Sequence, residues 1–192
     1  MARGFLPQVW LVLDDPVLKP LLQKHGPAPF QPHPFEPQPL YPTLLRSIVG
    51  QQLSAKAAET IWQRLVARFD LEPEVVYQVQ REALRAVGLS EAKARYVRAV
   101  SRFALEGGLE GLEALSDEAV VQRLVRVEGV GVWTAQMFLM FVLGRPDVWP
   151  VQDLGLRRGA ERLYPGQALE ALGERFRPYR SHAAWYLWRA LE

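Results

Sequence analysis

The tetrapeptide Glu-Gly-Val-Gly at positions 128–131 lies between two stretches of helical apolar spacing, "LVRV" before it and "VWTAQMF" after it. Four residues between two helices allow only a tight reversal, so the helix ending near Val127 and the one beginning near Val132 must double back on each other. Such a turn is expected to need glycine's conformational freedom at both Gly129 and Gly131. It leaves backbone uncovered, and the second helix opens with unpaired N–H groups and the positive end of its dipole. A phosphate fits a place of that kind. A glycine pair between helices is equally compatible with a purely structural turn, and the neighbouring residues have to decide.

The rest of the chain carries helical punctuation throughout. Ser54 is placed to cap "SAKAAETIWQRLVARF", with Ala58, Ile61, Leu65 and Phe69 on one face; Ser90 is placed to cap "SEAKARYVRAVSRFALEGG" after a stop at Gly88; Ser116 opens "SDEAVVQRLVRV" with Asp117 and Glu118 in the first turn. Further helices fit residues 132–143, 153–163, 168–176 and 179–191, and no segment alternates with period two. The predicted fold is all-α. Seven prolines between Pro27 and Pro42 exclude a helix interior or a central strand there, so that stretch reads as an extended connector behind an N-terminal helix.

With 192 residues, 49% of them hydrophobic, the chain can bury a substantial core. No apolar run approaches the ~18 residues of a membrane span, and the opening apolar run breaks at Asp14, so a soluble, cytoplasmic protein is expected. The absence of cysteine removes disulfides, thiolate nucleophiles, cysteine zinc sites and iron–sulfur clusters. His25, His33 and His182 show no metal-ligand spacing, and no P-loop, serine triad or dinucleotide pattern is present. The net charge is only +2, but it is unevenly placed: residues 106–118 carry five acids and no base, and residues 154–191 carry seven arginines against three glutamates. The C-terminal segment is therefore a candidate anion-facing surface, or an arginine-rich solvated face. Asparagine is absent and arginine far outnumbers lysine, which fits a thermophilic source or a biased genomic base composition.

"LVRVEGVGVWTAQMF" followed by "VWPVQDLGLRRG" resembles the helix–hairpin–helix (HhH-GPD) DNA glycosylase superfamily, and Asp153 follows Trp133 by 20 positions. "LLRSIVGQQLSAKAAETIWQRL", "GLSEAKARYVRAVSRFA" and "RFRPYRSHAAWYLWRAL" resemble, in order, further helices of the bacterial AlkA-type DNA-3-methyladenine glycosylases. The resemblance runs from about Pro42 to Leu191, without the β-rich N-terminal domain of some members. It implies two interleaved helical lobes with a DNA-binding cleft, residues 1–41 with 145–192 forming one and 42–144 the other. It also implies a monomer acting on double-stranded DNA that holds a damaged base.

An enzyme acting on a base within a duplex must extrude it, which takes a grip on phosphates, a wedge, a pocket and a group for the bond. The resemblance assigns the grip to Gly129, Val130, Gly131 and Thr134, with a monovalent cation, Na⁺ or K⁺, on the main-chain carbonyls of Val125, Val127 and Val130. No cofactor is expected for catalysis. The wedge falls on Gln52, beside Gln51 and Leu53, where several relatives carry an apolar residue. Trp133, Trp188 and Met137 fall at pocket positions, and an indole face attracts the cationic ring of an alkylated purine. Met137 stands where a relative has an aromatic residue, which leaves the lesion class open. Asp153 is the candidate catalytic carboxylate: breaking an N-glycosidic bond builds positive charge on the sugar, which a carboxylate stabilises while it orients water. Trp133 occupies the site of the lysine nucleophile of lyase-competent branches, so hydrolytic, monofunctional base release is expected. The readings left beside it are a non-catalytic helix–hairpin–helix DNA-binding module and a glycosylase for oxidised or deaminated purines.

Overall fold

The structure, a computed structural model, describes residues 14–30 and 39–192. Residues 1–13 and 31–38, the latter the middle of the proline-rich connector, lie outside the described residues; the N-terminal helix expected ahead of that connector falls at Lys19–His25. Among the described residues there are eleven α-helices, one short 3-10 turn and no strand, an all-α architecture. The chain divides into two compact units: Pro37–Phe138, and Met1–Glu36 with Leu139–Glu192.

The first of these units holds α2 (Leu40–Gly50), α3 (Ala55–Arg68), α4 (Pro73–Gln78), α5 (Arg81–Ala86), α6 (Glu91–Leu105) and α7 (Asp117–Leu124). It also holds most of α8 (Val132–Phe141). Three of these helices start where a serine hydroxyl accepts a backbone N–H: Ser54 from Ala57 (3.3 Å), Ser90 from Lys93 (3.3 Å) and Ser116 from Ala119 (3.2 Å). Helix α6 is the centre, packing against α2, α4 and α5. It buries Ala94, Val97 and Val100, one apolar stripe at helical spacing. Ser101 continues that stripe and is satisfied by Tyr41, its hydroxyl 2.8 Å from the phenol, and by the Val97 carbonyl at 2.8 Å. Burial pushes the Tyr41 phenol up to about 12.

Two sequence expectations are corrected here. Helix α2 begins at Leu40, so Pro42 belongs to its first turn rather than to the connector. A proline's missing N–H costs nothing there, because the first turn has no intrahelical acceptor for it. The buried residues of α3 are Trp62 and Leu65, whereas Ala58 and Ile61 are half-buried and Phe69 is the C-cap in extended backbone. Helices α4 and α5 were not anticipated individually; each is six residues long, too short to display a period.

The other unit contains α1 (Lys19–His25), α9 (Leu154–Leu163), α10 (Leu169–Arg175) and α11 (Arg180–Arg189). Helices α9 and α11 approach to backbone contact at Gly159, where a Cβ would lie 2.1 Å from the Leu187 carbonyl oxygen. Only glycine permits that crossing. The buried Asp15 carboxylate gathers the N–H groups of Val17 (2.8 Å) and Leu18 (3.0 Å), the Tyr164 hydroxyl (3.0 Å) and the Arg175 guanidinium (2.5 Å). A buried charge is tolerated when it is answered in this way.

His182 on α11 is buried and its Nε2 lies 2.8 Å from the Phe30 carbonyl oxygen, so Nε2 carries the proton and donates. Burial holds the imidazole below its ordinary value of 6.5. Because the folded value is depressed, the unfolded chain binds the proton first as pH falls. The stabilisation is complete above pH 6.5 and is lost as pH falls through the folded value. The expected outcome is a denaturation midpoint that declines below pH 6.5 in the native chain and declines less steeply in His182→Gln, measured by denaturant titration across pH.

Candidate functional site

In the 37–138 unit the reversal between α7 and α8 is built as expected at one glycine and differently at the other. Gly129 has φ +90°, a left-handed backbone, and a Cβ there would lie 2.3 Å from the Tyr96 ring on α6. Gly129 is thus required twice, by conformation and by close approach. Gly131 requires neither: its φ is not positive and nothing lies within 4 Å of a Cβ built on it. Gly131 stands just before α8, its carbonyl accepting the Ala135 N–H at 3.0 Å. The absence of a side chain there leaves the first turn of α8 uncovered.

The hairpin backbone from Val125 to Gly131 lines a cavity of about 600 Å³ together with Gln51, Gln52, Lys93 and Tyr96. The residues expected as wedge and grip are therefore brought to one place, with their duties divided. Gln51 turns inward, its Nε2 donating to the Gly129 carbonyl (2.9 Å) and to the Thr134 hydroxyl (3.2 Å). Thr134 is only 5% exposed, so its hydroxyl serves this internal bond rather than a surface contact. Gln52 and Leu53 are exposed, and Gln52 is the one non-glycine residue among those described with positive φ, at +56°. An L-residue held in that region carries about 1–2 kcal/mol of local strain. Trp133, in the first turn of α8, is 41% exposed, with the half-buried Met137 one turn further along the same face.

Lys93 received no role from the sequence. Its Nζ donates to the carbonyls of Val49 (2.8 Å) and Gln51 (2.6 Å), which end α2 without intrahelical partners. Burial holds its ammonium below the ordinary lysine range. The available signal was faint: a lysine three residues after a serine cap, in a chain that otherwise prefers arginine.

In the other unit Asp153 is the N-cap of α9. Its Oδ1 accepts the Leu156 N–H at 2.6 Å and the Trp188 Nε1–H at 2.8 Å. Two donors on one oxygen fix the carboxylate's orientation. The preceding turn is held by the Asp153 N–H on the Pro150 carbonyl (2.8 Å) and by Arg157 Nε on the Val151 carbonyl (2.7 Å). Trp188 reaches Asp153 because α9 and α11 meet at Gly159, and Gly155 leaves space for the indole, whose Cδ1 would lie 3.0 Å from a Cβ there. Phe141 stacks on the indole with centroids 6.0 Å apart and planes at 24°. Asp153 and Trp188, assigned separately to bond and pocket, form one hydrogen-bonded pair. Phe141 was missed because at the end of a uniformly apolar helix nothing distinguishes it from core.

Residues 45–175 match the family model described as HhH-GPD superfamily base excision DNA repair protein, and the chain belongs to that family. The Bacillus subtilis protein YfjP is 32% identical over 169 residues, covering 79% of this chain and 59% of that protein. This chain thus spans less than two thirds of that relative. Its fold is similar to the Schizosaccharomyces pombe 3-methyladenine DNA glycosylase in complex with abasic DNA, with a TM-score of 0.80, 30% identity and coverage of 95% of this chain and 94% of that one. It is similar also to a DNA-3-methyladenine glycosidase from Bacillus halodurans, with a TM-score of 0.78, 38% identity and coverage of 96% and 89%.

The two hairpin glycines are expected to behave differently. Gly129→Ala should destabilise the fold by about 2–4 kcal/mol, because left-handed backbone and overlap with Tyr96 add. Gly131→Ala should cost less than about 1 kcal/mol. Denaturant midpoints of the two purified variants check this.

Proposed function

We propose that the protein is a monofunctional DNA glycosylase that releases alkylated purines, of the 3-methyladenine and 7-methylguanine type, from duplex DNA and leaves an abasic site. The observation that carries the reading is the Asp153 carboxylate, half-exposed at the start of α9 and oriented by the Leu156 N–H and the Trp188 indole. The relatives described as acting on 3-methyladenine support the substrate class.

The chemistry follows from charge. An alkylated purine is cationic and leaves as a neutral base, taking the electron pair of the C1′–N bond. The sugar acquires oxocarbenium character that Asp153 opposes electrostatically. A water oxygen, oriented by Asp153, then bonds C1′ and passes its proton to the Asp153 carboxylate. Trp133 offers an indole face to the cationic base. It supplies no amine for attack on the sugar, so no Schiff base forms and the backbone is left intact.

Duplex grip is assigned to the uncovered start of α8, whose N–H groups suit a phosphate oxygen. A Na⁺ or K⁺ ion would be held by the Val125, Val127 and Val130 carbonyls, all from residues lining the hairpin cavity. The Val127 carbonyl accepts the Val130 N–H at 3.0 Å and has a second lone pair for an ion. When bound, the ion adds positive charge facing phosphate and takes no part in bond cleavage. The exposed Gln52 and Leu53 supply the wedge, and the substrate places the protein with the chromosome.

Asp153→Asn retains a cap and should keep fold and DNA affinity, while single-turnover release of 7-methylguanine falls about 10²–10³-fold. Release near the native rate would reduce Asp153 to a cap. Gly131→Val should weaken binding to lesion and plain duplexes alike, because the hairpin contacts backbone and no base edge. Titrations of both duplexes at one fixed salt concentration check it, and loss confined to the lesion duplex would remove the hairpin from phosphate binding.

A further inference from the structure

The turn that carries Gln52 is tied down from two sides. From α6, Lys93 Nζ holds the Val49 and Gln51 carbonyls at 2.8 Å and 2.6 Å. From the hairpin, the Gly129 carbonyl and the Thr134 hydroxyl hold the Gln51 amide at 2.9 Å and 3.2 Å. The hairpin itself is pressed onto α6, since Gly129 lies where any Cβ would enter the Tyr96 ring at 2.3 Å. Lys93 and Tyr96 are one helical turn apart, so α6 contacts turn and hairpin from a single face. Between these anchors Gln52 holds φ +56°, a conformation its surroundings must impose.

A lysine half-removed from water and directed at two carbonyls is costly as packing alone. Its cost is offset because both oxygens end a helix and are otherwise orphaned, and because the C-terminal end of a helix dipole favours a cation. The consequence is geometric. Removing the ammonium frees the end of α2, and with it the exposed, strained Gln52.

We infer that Lys93, acting with the Gln51 amide, makes the Gln52 turn and the hairpin a single rigid body, so that the phosphate grip sets where the wedge enters the duplex. Lys93 is on this account a positioning residue for base extrusion, reaching neither the base nor the sugar. The inference rests on the functional reading above in taking Gln52 as the wedge.

The test uses the full chain and a duplex holding a tetrahydrofuran abasic analogue with 2-aminopurine as the neighbouring base, whose fluorescence rises on unstacking. No bond is broken in this duplex, so the result does not depend on Asp153 or on which bases are released. Lys93→Met keeps the length of the side chain and removes its donors. At saturating protein the fluorescence rise should fall at least about threefold, because the fraction of wedge-competent turns falls. Affinity for plain duplex at the same salt should stay within about twofold, the hairpin being intact. Single-turnover release of 7-methylguanine should fall about 10–100-fold, the cost of a misplacement on the order of 1 Å. Lys93→Arg, which restores N–H donors to the two carbonyls, should recover part of the fluorescence rise. If Lys93→Met does not fold, Lys93→Gln, too short to reach both carbonyls, carries the same expectations. A native fluorescence rise in these variants overturns the inference, as does plain-duplex affinity falling in step with it. The expected fluorescence pattern without release of any alkylated base by the native chain would sink the proposed function and leave the coupling standing.

Discussion

Every α-helix ends with N–H groups at one terminus and carbonyls at the other that the helix cannot satisfy. In this chain, built of many short helices, the treatment of those ends organises everything else. Three helix starts are closed locally by a serine hydroxyl, at Ser54, Ser90 and Ser116. Three further ends are closed or left open in other ways, and the proposed function draws on these. The start of α8 is left uncovered behind Gly131, the start of α9 is closed by an aspartate, and the end of α2 is closed by a distant lysine.

Asp153 shows how one side chain can hold a helix end and be oriented for the chemistry proposed for it. As a cap it is held by the Leu156 N–H, a bond any aspartate at that position would make. The Trp188 indole adds a second donor on the same oxygen, and that donor arrives only because α9 and α11 cross in backbone contact at Gly159. A carboxylate with a fixed orientation loses little conformational freedom when charge develops beside it, which is what the proposed function would draw on. The indole is itself stacked on Phe141, so its direction is set by packing and not by the aspartate alone.

Much of this was readable in the chain before folding was considered. The serine caps, the helices of α6 to α11, the reversal at residues 128–131 and the cap at Asp153 all follow from nearest-neighbour rules, in which a residue's type and its spacing within one or two turns suffice. The shortest helices, α4 and α5, escaped because six residues hold too little period to register. On α3, Leu65 is buried as expected, but Trp62 rather than its apolar neighbour Ile61 is the other buried residue, a choice between adjacent apolar positions that only the packed neighbours make. Gly131 was expected to need the conformational freedom that, of the hairpin pair, Gly129 alone uses, because sequence shows which residues tolerate left-handed φ and not which of two nearby glycines adopts it.

What the sequence determined by itself is the all-helical class, the placement of caps and turns, and the residue types available for chemistry, since these depend on local sterics and on side-chain composition. What only the tertiary structure decided is which groups meet. Trp188 joining Asp153, Gln51 turning inward to Gly129 and Thr134, and Lys93 closing the end of α2 are contacts between residues 35, 78, 83 and 44 positions apart. No local rule reaches that far, because such contacts exist only once the helices between have packed and the close approaches at Gly129 and Gly159 have set their distances.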